Sequence, residues 1–240
     1  MGYNYPHFDN ELIQGLYNWQ SLIGAILALS AALFGARLLL KQINLSEKQE
    51  AERQRRRFAA ARARMPLLLS EISSYAHEVA RYLVDIHGLA GQLGFGAIGF
   101  PQQAPTLGSE IPSSLERLIE STGDDRLSTK LSDLLASLQV INARTSEIPR
   151  LSPHMVGLQL MFEDYLIQTA EVYADATSLF AYARREVDDI SIGQKLPMRS
   201  ALNLLEVRDH TFDRLHQTAE RRYGGNYRGE SAAPLADLDV

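Results

Sequence analysis

The longest apolar run in the chain lies near its beginning. Residues 12–36 carry no charged side chain, and Leu38–Leu40 extend the run past Arg37. The 24 residues from Tyr17 to Leu40 make about 36 Å of α-helix, which is enough to cross a hydrocarbon core of about 30 Å. We therefore predict a transmembrane helix over residues 16–40.

The residues around this run predict its orientation. Tyr17 and Trp19 lie where aromatic side chains meet a membrane interface, and Arg37 is close enough to the other end to reach the headgroups. A cleaved signal peptide needs positive residues before the apolar run, whereas here they follow it. A buried core helix is the other alternative. The Lys/Arg excess after the run places residues 1–15 outside the cytoplasm and the rest of the chain inside it.

A basic segment follows the apolar run. Residues 37–64 contain nine Lys or Arg and three Glu, whereas the chain as a whole has a net charge of -5. Residues 41–65 lack Gly and Pro and predict a basic juxtamembrane helix that Pro66 ends or kinks. Six cations are predicted to meet anionic lipid headgroups: Arg37, Lys41, Arg53, Arg55, Arg56 and Arg57. Nucleic acid is not expected as a partner, because Phe58 is the segment's one aromatic residue.

Small residues recur every four positions within the apolar run. They are Gly24, Ala28, Ala32 and Ala36. Small side chains at this spacing allow two transmembrane helices to approach closely. The sequence therefore predicts a homodimer through this face, although Ala and Gly are also common in membrane anchors that do not associate.

Apolar residues at steps of three and four continue through most of the remaining chain and predict an all-α fold, in which the transmembrane helix leads into a cytoplasmic helical bundle over residues 66–222. Four to six helices are expected. Turns are predicted at Ser121–Gly123, with Asp124 or Asp125 capping the next helix, and at residues 145–153 and 188–196. A single last helix is expected from Met198 to Ala219. The tail, residues 223–240, has no periodicity and is predicted to be disordered.

An apolar, glycine-rich loop is predicted at residues 93–112. Its Gly94–Gly99 segment matches the spacing of a dinucleotide-binding loop, but a helix precedes it and Phe100–Pro101 follows it, so nucleotide binding is not expected. The loop either folds over the bundle or inserts shallowly into the bilayer through Phe95 and Phe100.

Candidate chemistry is sparse. The chain has no cysteine, which excludes disulfides, thiolate metal sites and cysteine nucleophiles. Asp213 and His216 have the spacing of half a di-metal carboxylate site on one helix face, and Glu163 and Glu171 are the further carboxylates that such a site would need. Solvated helix faces explain the same residues. No catalytic residue, cofactor or metal is expected.

Five segments resemble a group of uncharacterised single-pass membrane proteins of proteobacteria: Asn18–Gln20, Leu22–Ala25, Gln49–Arg53, Arg56–Ala63 and Pro66–Glu71. The resemblance covers the first third of the chain. It implies a bacterial inner-membrane location and carries no activity or functional residues with it.

The sequence therefore favours a membrane-anchored cytoplasmic module that binds or scaffolds a protein partner whose identity the sequence does not contain. The alternatives are a metal-dependent helical-bundle enzyme and a signal relay through the transmembrane helix.

Overall fold

A computed structural model describes residues 10–92, 100–101, 103–152, 155–190, 195–208 and 211–229. All regular structure in these ranges is helical, which confirms the all-α prediction. The helices are α1 (Asn10–Gln92), α2 (Glu110–Ser121), α3 (Asp125–Glu147), α4 (Leu158–Ser178), α5 (Phe180–Ala183), α6 (Met198–Leu204), α7 (Asp213–Tyr223) and α8 (Gly225–Arg228).

The first helix, α1, contains 83 residues. The chain divides into two compact units, residues 1–54 and 55–240, and α1 supplies helical residues to both. The expectation that Pro66 could end the helix is wrong, because Pro66 lies inside α1. A proline within a helix costs about 3 kcal/mol. Burial of the neighbouring Met65, Leu68 and Leu69, each of which is at most 5% exposed, offsets that cost.

The second unit has one hydrophobic core, which α1 enters along a single face. The α1 residues on this face are buried in one cluster with residues of α2, α3 and α4: Leu68, Ile72, Tyr75, Val79, Leu83 and Ile86. The core side chains that are almost fully enclosed include Ile72, Leu83, Ile86, Leu115, Leu127, Leu131, Leu134, Leu138, Ile141 and Phe162. The apolar positions at steps of three and four therefore identify the core faces of these helices.

The bundle begins earlier than residue 66. Phe58 and Ala61 pack against the core, and Met65 is 1% exposed. Arg62 donates from Nη2 to the carbonyl oxygen of Tyr182 at 2.7 Å, and its guanidinium lies 3.9 Å from the centre of the Tyr182 ring. The last two turns of the predicted juxtamembrane helix are thus part of the bundle, because their apolar residues continue the spacing of the α1 core face.

The turn between α2 and α3 agrees with its prediction. Asp124 has an extended backbone, and its carboxylate accepts a hydrogen bond from the backbone N–H of Arg126 at 2.9 Å. This satisfies one of the donors that the start of a helix leaves without an intrahelical partner.

Two later boundaries differ from the predictions. The turn expected from residue 145 starts after Glu147, because Thr145 is still helical and donates its hydroxyl hydrogen to the Ile141 carbonyl oxygen at 2.9 Å. The predicted turn ends at residue 153, whereas the next helix starts at Leu158, directly after Gly157, whose φ is 86°. A left-handed backbone of this kind suits glycine and does not continue a helix.

The single helix expected from Met198 to Ala219 is two helices, α6 and α7. Glu206 has a φ of 64°, and the Val207 N–H donates to the Leu202 carbonyl oxygen at 2.9 Å. This hydrogen-bond pattern closes α6 as a Schellman motif. Neither Gly nor Pro marks the position in the sequence.

The predicted disorder of the tail is wrong for its first residues. Tyr223 ends α7, Gly225–Arg228 form α8, and Tyr227 is 4% exposed. The buried Tyr227 ring attaches this segment to the core. A single apolar residue shows no periodicity, so the sequence pattern could not predict this contact. Residues 230–240 lie outside the described part of the chain.

The apolar loop after α1 can be followed in part. Phe100 is 3% exposed and meets Phe162 edge to face, with ring centres 5.7 Å apart. For Phe100, the prediction that the loop folds over the bundle is therefore correct, and the prediction that it inserts into the bilayer is wrong. Residues 93–99, which include Phe95 and the dinucleotide-like spacing, lie outside the described ranges.

Candidate membrane-anchoring site

The apolar segment of α1 presents its side chains to the surroundings. An 18-residue window of mean hydropathy 2.1 has none of its residues buried, so α1 is long and apolar enough to span a membrane. Between Leu22 and Leu40, the exposed large apolar residues are Leu22, Ile23, Ile26, Leu27, Leu29, Leu33, Phe34, Leu38, Leu39 and Leu40. Removing a side chain of this size from water stabilises by about 1.5–3 kcal/mol. Ten exposed side chains of this kind therefore strongly favour transfer of this segment of α1 from water into an apolar medium.

The residues predicted to form a packing face are also open. Gly24, Ala28, Ala32 and Ala36 are exposed, and a Cβ added at Gly24 would have no atom within 4 Å outside its own helix turns. The face is therefore free to receive another helix, and whether one occupies it stays a prediction.

The six cations predicted to meet lipid headgroups are all exposed. They differ in their partners. Arg53 pairs with Glu50 at 3.7 Å, one helical turn earlier. Arg37 and Lys41 instead line an open groove of about 460 Å³ together with Leu40, Asn44, Leu45 and Lys48. The structure thus distinguishes the cations beside the apolar segment from at least one of those farther along α1.

The proposed half-site at Asp213 and His216 has a structural explanation. His216 is 5% exposed, with Nδ1 2.6 Å from the Tyr227 hydroxyl oxygen and Nε2 2.9 Å from the Val207 carbonyl oxygen. Because a carbonyl only accepts, Nε2 donates to Val207 and Nδ1 accepts from Tyr227. The exposed Asp213 accepts from the Gln217 side chain at 2.9 Å. Both ring nitrogens of His216 are thus occupied by the fold.

The other candidate carboxylates lie in separate contacts. Glu163, on α4, lies 3.5 Å from Nε2 of His87, on α1, without a hydrogen bond between them. Glu171 accepts a hydrogen bond from the Tyr223 hydroxyl, joining α4 to α7. Within the ranges that the structure describes, no three His, Asp or Glu side chains are placed to share a metal ion.

The phenol of Tyr223, the partner of Glu171, has a raised pKa. Burial raises the pKa of its phenol, and the hydrogen bond to the Glu171 carboxylate raises that pKa further, because both disfavour a phenolate at this position. Tyr223 therefore stays protonated as a hydrogen-bond donor, and the pair connects two helices.

Comparison with known proteins gives no relative from which a role could be transferred: no family model, no curated protein and no solved structure matches this chain.

Proposed function

We propose that this protein is a single-pass membrane-anchored module whose cytoplasmic helical bundle works by binding or scaffolding a protein partner, without catalysis. The observation that carries the proposal is the exposed apolar segment of α1, followed directly by exposed basic residues. An apolar segment of this length is stable in a bilayer, and the basic residues after it favour a cytoplasmic bundle. The proposed location is the bacterial inner membrane, with the N-terminus outside.

Binding is favoured over catalysis by the polar contacts of the bundle. The groups that came closest to a metal site hold helices together: His216 joins the segment after α6 to α8, and Glu171 joins α4 to α7. A metal could bind the buried His216 only after displacing the Tyr227 hydroxyl from Nδ1 or the Val207 carbonyl oxygen from Nε2. Metal analysis of the purified full-length protein tests this alternative, and a stoichiometric transition metal would support it.

The orientation is open to a direct test because the chain has no cysteine. Asn10→Cys precedes the apolar segment, and Ser137→Cys places a thiol at an exposed position of α3. Spheroplasts that produce either variant are treated with a membrane-impermeant maleimide before and after permeabilisation. We expect Asn10→Cys to react in intact spheroplasts and Ser137→Cys to react only after permeabilisation.

Three results would contradict the proposal: the reverse labelling pattern, recovery of both variants in the soluble fraction, or loss of the first residues by cleavage. The wild-type chain is the matched control, since it has no thiol to label. Crosslinking of the full-length protein in its membrane, followed by mild detergent extraction, then tests for the protein partner.

A further inference from the structure

Three cations and one amide share a face of α1 where the apolar segment ends. Arg37, Lys41, Asn44 and Lys48 follow one another at steps of four, three and four residues. At about 100° per residue, these steps place all four within a sector of about 60°. Glu47, the only acidic residue between Arg37 and Lys48, lies about 80° away from Arg37 around the helix.

The same residues line an open groove with an apolar edge. The groove has a volume of about 460 Å³, and Leu40 and Leu45 line it together with the four polar residues. Both leucines are exposed, at 61% and 54%. A ligand in this groove therefore meets positive charge and apolar surface together, which matches a charged headgroup with its acyl chains.

The three cations have no partner in the described part of the protein: no hydrogen bond or ion pair there involves Arg37, Lys41 or Lys48. Two arginines farther along α1 are already engaged, because Arg53 pairs with Glu50 and Arg62 donates to the Tyr182 carbonyl oxygen. The charge of the three membrane-proximal cations is therefore left for an external anion.

Their position along the helix fits the edge of a bilayer. A hydrocarbon core of about 30 Å takes about twenty helical residues, so a core that starts at Leu22 ends near residue 42. The groove is centred on this point. Lys48 lies about 9 Å past it, whereas Arg53 lies about 16 Å past it, twice the physiological Debye length of about 8 Å.

We propose that Arg37, Lys41, Asn44 and Lys48 form a site for the phosphodiester of an anionic phospholipid in the cytoplasmic leaflet. Arg37 and Lys41 extend from the apolar segment toward the headgroup, where a guanidinium donates two hydrogen bonds to phosphate and an ammonium supplies a point charge. Asn44 adds an amide donor. Arg53, Arg55, Arg56 and Arg57 are outside this site. The inference rests on the proposed function, since it requires α1 to cross the bilayer.

A pair of charge-matched variants tests the site. The proximal variant is Arg37→Gln/Lys41→Gln/Lys48→Gln, and the distal variant is Arg53→Gln/Arg55→Gln/Arg57→Gln. Each loses three positive charges and keeps six Lys or Arg within residues 37–64. The full-length proteins are reconstituted in vesicles of equal parts phosphatidylglycerol and phosphatidylcholine and extracted in mild detergent, and the lipids that remain bound are counted by native mass spectrometry.

We expect the wild type and the distal variant to retain phosphatidylglycerol preferentially and the proximal variant to retain the two lipids equally. A basic residue near the surface contributes about fivefold to binding of an anionic lipid, so the loss in the proximal variant should be at least tenfold. Equal losses in the two variants, or no preference in the wild type, would overturn the site. Displacement of the lipid by inorganic phosphate at constant ionic strength would also overturn it, in favour of a free-phosphate site.

Cysteine labelling separates this test from that of the proposed function. Asn10→Cys and Ser137→Cys are each introduced separately into the proximal variant. Its remaining cations still favour the same orientation. If labelling shows that α1 spans the membrane and the lipid preference is absent, the lipid site alone is wrong. If labelling shows that α1 does not span, the proposed function is wrong and the lipid site with it.

Discussion

Two residues that follow helix ends have a left-handed backbone conformation, which glycine adopts more readily than other residues. Arg185 has a φ of 63° and Glu206 a φ of 64°. Each lies just after a helix, and the N–H of the residue that follows it donates to a carbonyl oxygen five residues earlier: Glu186 to Ala181, and Val207 to Leu202. These are Schellman motifs, in which the left-handed residue is most often glycine.

Glycine should therefore stabilise the bundle at both positions. A non-glycine residue in the left-handed region costs about 1 kcal/mol or more, because Cβ crowds the following carbonyl oxygen. We expect Arg185→Gly and Glu206→Gly each to raise the free energy of unfolding by up to about 1 kcal/mol, measured by denaturant titration of the full-length protein in detergent. The matched control is Arg184→Gly, since Arg184 has a φ of -79° and glycine there only adds flexibility. Stabilisation by all three substitutions would contradict the explanation.

The Tyr223–Glu171 hydrogen bond predicts a loss of stability at alkaline pH. Burial and Glu171 raise the pKa of Tyr223 in the folded protein, so above pH of about 10 the tyrosine ionises in the unfolded chain first. The unfolded state then holds fewer protons than the folded state, and stability falls as the pH rises. Burial also raises the pKa of Tyr75 and Tyr82, in the same direction.

Tyr223→Phe should separate this contribution from the others. We expect the variant to be less stable than the wild type at pH 8 by about 1 kcal/mol, the contribution of a typical hydrogen bond. Between pH 9 and 11 its thermal midpoint should fall less steeply than that of the wild type. Tyr17→Phe, at a residue that is 74% exposed, is the control and should follow the wild type. Parallel slopes for Tyr223→Phe and wild type would show that Tyr223 does not control the alkaline loss.

At the scale of elements, His216 holds the short C-terminal helices together. Its ring in α7 bonds the Tyr227 hydroxyl in α8 and the Val207 carbonyl oxygen just after α6. His216→Phe keeps an aromatic ring but removes both hydrogen bonds, and a buried polar group that loses its partner costs about 1–3 kcal/mol. We expect this variant to be destabilised by at least that amount in denaturant unfolding.

Asp213→Asn is the comparison that distinguishes a structural histidine from a metal ligand. Asp213 is exposed and accepts from Gln217, so its replacement should change stability by less than about 0.5 kcal/mol. A metal site would instead lose its metal in both variants. Joint loss of a bound metal would therefore contradict the structural role of His216.

The elements also show what the sequence pattern could predict. The core faces of α1 to α4 follow from apolar spacing, because burial of one stripe dominates the stability of an amphipathic helix. The break between α6 and α7 did not follow, since Leu205 and Phe212 are seven residues apart, two helical turns, and the break depends on a left-handed Glu206. The spacing of Phe58, Met65 and Leu68 is that of one helix face and could have predicted that the bundle starts at Phe58. It was missed because the arginines around Phe58 make this segment look like a solvated basic helix.

For the whole molecule, the order of charge along the chain predicted the candidate site only coarsely. An uncharged segment followed by a basic one indicates a membrane anchor and its orientation. The order of charge does not show that Lys48 belongs to the candidate lipid site and Arg53 does not, since both count equally as positive charges. That separation needs the helical register, which places Arg37, Lys41 and Lys48 on one face, and the contacts that engage Arg53 and Arg62.

Self-association is the prediction that concerns the assembled molecule. If Gly24, Ala28, Ala32 and Ala36 form a dimer interface, a thiol on that face should meet its counterpart in a second chain. We expect Ala32→Cys to crosslink in the membrane under mild oxidation. Ser30→Cys, two residues earlier in the same exposed segment, lies about 200° around the helix and should stay monomeric.

The absence of native cysteine makes any crosslinked dimer attributable to the introduced thiol. Adding Gly24→Ile and Ala28→Ile to the Ala32→Cys chain should abolish the dimer, because a β-branched side chain at either position separates the two backbones. Ser30→Ile, on the opposite side of the helix, should leave the crosslink intact. Equal crosslinking of Ala32→Cys and Ser30→Cys would instead indicate random collision in the bilayer. The small residues would then serve only to fill the span, and the bundle would bind its partner as a monomer.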